Sequence, residues 1–190
     1  MSSSASSSWP QRVRLVAAGT IAYPGRAART VHLEFDIVFV RAEAPDPSMS
    51  GARYVPAPKS VVSQSMSSAA DQWCAIVPRT ALVPVDRQQS FLKLDVPAPG
   101  GQILVGSLIS AARQPPVTIG IASCNNTAIT QVPLVFQTLP RPESVIGEDG
   151  AMGTLETGKR FPTARGNSSV RHDPESPLYR MTWTLSPVGE

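Results

Sequence analysis

Thr30 to Arg41 places Val31, Leu33, Phe35, Ile37 and Phe39 on every second position, with His32, Glu34 and Asp36 between them. A period of two sends alternate side chains to opposite faces, so this stretch predicts a strand with one buried and one wetter face. β-branched and aromatic residues dominate it, and they suit a pleated, half-buried surface. At Val38 and Val40 the polar face turns apolar, which predicts cover on both sides at that end.

Weaker versions of the pattern recur along the chain. Gln11 to Tyr23 alternates Val13, Leu15 and Ala17 with Arg12 and Arg14, and Pro24-Gly25 ends it as a turn before its antiparallel neighbour. Trp73 to Val77, Thr80 to Val85, Ser90 to Val96, Gln102 to Ile109, Val117 to Ala122, Ile129 to Leu139 and Leu178 to Leu185 follow. Pro84 marks its strand as an edge, and Asn125-Asn126 signals a turn. Two long connections are expected, Ala42 to Ser60 and Pro140 to Pro177, with one short helical turn in Ser65 to Gln72 after serines that would cap it.

The chain has 19 prolines and 13 glycines, which punctuate short strands and exclude long helices. With 190 residues it is long enough for one domain with a real core. About eight antiparallel strands predict an all-β, eight-stranded jelly-roll β-sandwich over 11–190, with an immunoglobulin-like sandwich as the competitor. Residues 1–10 form a short arm in front of it. Met1 to Ser8 holds six serines and no basic or apolar core, so it does not read as a signal peptide, and the sequons at Asn125 and Asn167 carry little weight. No apolar run is long enough to cross a bilayer, which argues against a membrane partner.

Catalytic and metal chemistry find little support. Gly153 to Arg160 nearly spells a phosphate loop, but Arg160 stands where a hydroxyl should hold magnesium, and no apolar strand precedes it. His172-Asp173 near Ser168 and Ser169 lacks a rigid nucleophile turn and an oxyanion hole, so it reads as an exposed loop. His32, Glu34 and Asp36 share a strand face; they read as a hydrated outer face or a subunit contact rather than a metal set. Cys74 and Cys124 are expected to be buried free thiols, a single disulfide being the other outcome, and with His32 and His172 they form no zinc pattern. The expectation is no enzyme, no cofactor and no small-molecule substrate.

Charged residues make up only 16 %, against a usual quarter, which is what a surface covered by partners allows. The net charge of +3 comes from 14 arginines and three lysines, and guanidinium suits phosphate. Candidate nucleic-acid-binding residues are Arg12 and Arg14 beside the arm, Arg26 and Arg29 around the first turn, and Lys159, Arg160, Arg165 and Arg171 in the last long connection. That last cluster reads equally as a solvated loop face, since Glu148, Asp149, Glu156, Asp173 and Glu175 surround it.

A Ser-rich arm, eight short strands, Pro-rich connections and few charges resemble the single jelly-roll coat proteins of small icosahedral positive-strand RNA viruses. The tymovirus type is similar in length and in lacking a dense basic arm. The resemblance implies a capsid subunit that self-assembles from many copies into a virion, packages single-stranded RNA by non-specific arginine–phosphate contacts, and is assembled in the host cytoplasm. The alternative is a monomeric β-sandwich binding module, carbohydrate-binding or phage structural, in which Trp9, Trp73 and Trp183 would be a stacking platform, although core or interface anchors are the preferred reading of the three.

Overall fold

The computed structural model describes residues 9–24, 29–42, 52–68, 75–95, 103–130, 135–137, 152–155, 164–171 and 174–189. Among these every regular element is a strand. In chain order they are β1 (Arg12–Tyr23), β2 (Arg29–Arg41), β3 (Ala52–Pro56), β4 (Val61–Ser68), β5 (Ile76–Pro78), β6 (Ala81–Pro84) and β7 (Phe91–Asp95). They continue as β8 (Ile103–Ser110), β9 (Thr118–Ala122), β10 (Thr127–Thr130), β11 (Val135–Gln137), β12 (Met152–Leu155), β13 (Ala164–Val170) and β14 (Leu178–Pro187).

The alternation in the first two strands folds as read. Val13, Leu15, Ala17 and Ile21 of β1 are buried opposite Phe39, Ile37, Phe35 and Val31 of β2, while Arg14, His32, Glu34 and Asp36 are exposed. On the other side of β1, Leu15 faces Leu185 and Ala17 faces Trp183 in β14, both buried. Gly19 sits opposite Met181, and a Cβ there would overlap Arg180 O and Met181 Sδ, so close approach of β14 requires glycine at this position.

All pairings between named strands are antiparallel, in an eleven-stranded sheet and a three-stranded sheet of β10, β9 and β5. Within the larger sheet the pairings close a circuit, β1–β14–β13–β12–β8–β7–β3–β2 and back to β1, with β4 and β6 branching from β2 and β11 from β8. The circuit joins hairpin neighbours (β1 with β2, β7 with β8, β13 with β14) and the two far ends of the chain (β1 with β14). A buried cluster that includes Leu15, Leu33, Phe39, Tyr54, Leu92, Leu94, Ile109 and Leu185 lies on the inner face.

The structure corrects several sequence expectations. Fourteen strands stand among the described residues, where about eight were expected. Of the expected helical turn, Ser65 to Ser68 are instead the end of β4, and 69–72 lie outside the described residues; Val62, Gln64 and Met66 point inward and Ser63, Ser65 and Ser67 outward, so the serines are the wet face of a strand. The connection from Ala42 to Ser60 holds β3, whose Ala52 and Tyr54 are buried. The long polar connection from Pro140 to Pro177 holds β12 and β13, paired with each other, and Ile129 to Leu139 contains two separate strands. Neither expected buried thiol is found: Cys124 is exposed and disulfide-bonded, and the chain's other cysteine, at position 74, lies outside the described residues.

Candidate nucleic-acid interface

Outward-pointing residues of paired strands line up in rows. One row across β13, β14, β1, β2, β4 and β6 reads Asn167, Thr182, Ala18, Glu34, Ser63, Leu82. The next reads Ser169, Arg180, Thr20, His32, Ser65. Small and hydroxyl-bearing side chains leave this face shallowly hollow, with a groove of about 930 Å3 along its centre. Val16 (42 % exposed) and Leu82 (64 %) give the groove apolar walls.

Charge on this face is sparse and partly neutralised. Arg14 Nε donates to Asp36 Oδ1 at 2.7 Å, and a second guanidinium nitrogen donates to the other carboxylate oxygen. The hydrogen bond from Arg14, with its positive charge, holds the Asp36 carboxyl below its ordinary value, and Asp36 raises the guanidinium in return. His32 Nε2 lies 2.7 Å from Ser67 Oγ. Two of the three residues His32, Glu34 and Asp36 are thus engaged by neighbouring strands, and no group of three potential metal ligands occurs among the described residues.

The cations nominated from sequence do not gather in one place. Arg12 and Arg14 sit at one end of the β1–β2 hairpin, opposite Val40 and Val38. Arg29 faces Tyr23 at the other end, about 36 Å of extended strand away. Arg171, exposed, follows Val170, which pairs with Tyr179 near the Arg29 end. Arg165, in β13, is opposite Thr184 of β14. Arg26, Lys159 and Arg160 lie outside the described residues, as do His172, Asp173 and Trp73. Gly153, the first residue of the near-phosphate-loop, is inside β12, so that motif starts in a strand rather than a loop.

Other arginines hold the chain to itself. Arg41 Nη1 donates to Trp9 O at 2.6 Å, and Arg87 Nε donates to Pro56 O at 2.7 Å. Trp183 is buried, which removes it as an exposed stacking platform. Sequence reading missed one pair. Arg53 of β3 stands directly opposite Lys93 of β7, and the Arg53 guanidinium carbon lies 5.1 Å from the centre of the Phe91 ring. Only the register brings those two cations together, since 40 residues of chain separate them. The one signal available in advance was that each is a lone cation in an alternating stretch.

Comparison of the chain with family models, curated proteins and solved structures finds no match.

Proposed function

We propose that this chain is a structural coat protein: a jelly-roll subunit that assembles with copies of itself into a viral shell and encloses single-stranded RNA. The observation that carries the reading is the outer face of β13, β14, β1, β2, β4 and β6. It is wide and poor in charge, and it exposes Val16, Val61 and Leu82 among hydroxyls, as a wall meant to be covered by neighbours does. The side-by-side first and last strands, β1 and β14, suit a roll. Arg12, exposed and without a side-chain partner among the described residues, supplies one of the sequence-independent phosphate contacts. The virion, assembled in the host cytoplasm, is then its place of action.

Size-exclusion chromatography and negative-stain microscopy of the purified protein test this. Closed particles of uniform diameter are the expected result; a stable monomer at every salt concentration and pH tried overturns it. The groove favours a second reading, a monomeric binding module, since about 930 Å3 is ample for a small ligand. Saturable glycan binding by a monomer selects that reading. The groove offers no exposed aromatic for sugar stacking among its lining residues, which is why it ranks second.

A further inference from the structure

We infer that Arg53 and Lys93, on the outward face where β3 pairs with β7, form a binding site for phosphate groups. Register places them directly opposite each other, with Cβ atoms about 5 Å apart, and like charges in that position destabilise a sheet. Neither has an ion pair among the described residues, so the repulsion is not relieved within them. An anion between the two side chains removes it. The site is also oriented: the Phe91 ring holds the Arg53 guanidinium, and Lys93 is partly buried on the same face. A planar fork beside a flexible ammonium matches the several oxygens of a phosphate better than the single charge of chloride.

The site adjoins Arg12. Arg12 faces Val40, Val40 faces Val55, and Arg53 lies one step further along β3. Two strand spacings and one two-residue step separate Arg12 from Arg53, about 12 Å. A phosphate chain therefore has three cations in succession on one side of the molecule, where an isolated phosphate has two. That the polyanion is RNA rests on the coat-protein reading; phosphate binding at the pair does not.

The test uses the full-length chain and the variant R53Q/K93Q, with K93E as a second variant whose carboxylate faces Arg53 and relieves the repulsion internally. Melting temperature is followed in increasing inorganic phosphate against chloride at equal ionic strength. Binding of a labelled oligo(U) is followed by fluorescence anisotropy over a range of salt. The wild type is expected to melt higher in phosphate than in chloride, and neither variant to show the difference. Because each phosphate contact with a single strand contributes about 0.7 to the salt slope, R53Q/K93Q should lower it by about 1.4. A K93E protein that melts at or above the wild type in chloride shows that loss of binding is not loss of folding. An unchanged phosphate response and salt slope in both variants overturns the site. A phosphate response without any binding of oligo(U) keeps the site and assigns it to free phosphate. Particles of normal size from R53Q/K93Q that lack RNA support the site within a shell. Absence of particles from the wild type together with a phosphate response lost in both variants keeps the site and removes the coat-protein reading.

Discussion

At the scale of single residues, Gln64 is a conspicuous misfit of the described interior. Gln64 points inward from β4 and is 1 % exposed, yet neither its amide nitrogen nor its amide oxygen has a hydrogen-bond partner. A buried polar group left unsatisfied costs about 1–3 kcal/mol, and replacing it by an apolar side chain of similar shape removes that penalty. Gln64→Met nearly conserves volume and is expected to raise stability by about 1–2 kcal/mol, read as a higher urea midpoint at unchanged slope. A lower midpoint indicates that the amide is satisfied in the working state. Tyr54 shows the opposite case. Its hydroxyl, equally buried, donates to Pro10 O at 2.9 Å, and burial pushes its pKa up to about 12, so it stays neutral across the physiological range. Sequence placed Tyr54 only within the connection from Ala42 to Ser60; that its hydroxyl ties Pro10 to β3 came from the fold.

At the scale of elements, cross-strand pairs decide what each strand does. Arg14 on β1 and Asp36 on β2 were both read as exposed, and they are, but one had been assigned to a partner and the other to a hydrated face. The hairpin register gives them to each other. Asp36 has a lowered folded pKa, so its contribution is present above its ordinary value of 3.8 and is lost as pH falls through the lower folded value. Asp36→Asn is therefore expected to melt slightly below the wild type at neutral pH, the gap closing in acid below the usual carboxylate range. It should shrink in high salt too, because both side chains are about half exposed. A gap that persists unchanged in acid, after the folded Asp36 carboxyl has itself taken up its proton, argues for a packing role instead. On the coat-protein proposal, Arg14 is correspondingly the weaker phosphate contact of the two, beside Arg12. The misread elements share a cause: Ser63, Ser65 and Ser67 in β4, and Asn167 to Ser169 in β13, carry the period of two in small polar residues, which also fit caps and loops. Burial on the opposite face separates the two, and a short sequence window does not contain it.

At the scale of the whole molecule, closure depends on strands from the two ends of the chain. β14 places Met181, Trp183 and Leu185 in the core and fills the space between β1 and β13. Burying three large side chains contributes about 5–9 kcal/mol, comparable to the entire stability of a typical domain at about 5–15 kcal/mol. Deleting residues 178–190 is expected to abolish cooperative urea unfolding and to leave the chain prone to aggregate through two opened edges. A cooperative transition at the wild-type midpoint contradicts that. The chemistry of alternation determined by itself that the chain is all-β, that the first, second and last strands exist, and which of their faces are buried, because a strand's two faces are written in neighbouring residues. Long-range pairing alone decided that the described residues hold fourteen strands, that β1 is seated between β2 and β14, that Arg14 is neutralised by Asp36 and that Arg53 is left facing Lys93. Those facts are set by hydrogen-bonded register between segments tens of residues apart, and the period of two is the same in every register that keeps a strand's apolar face inward.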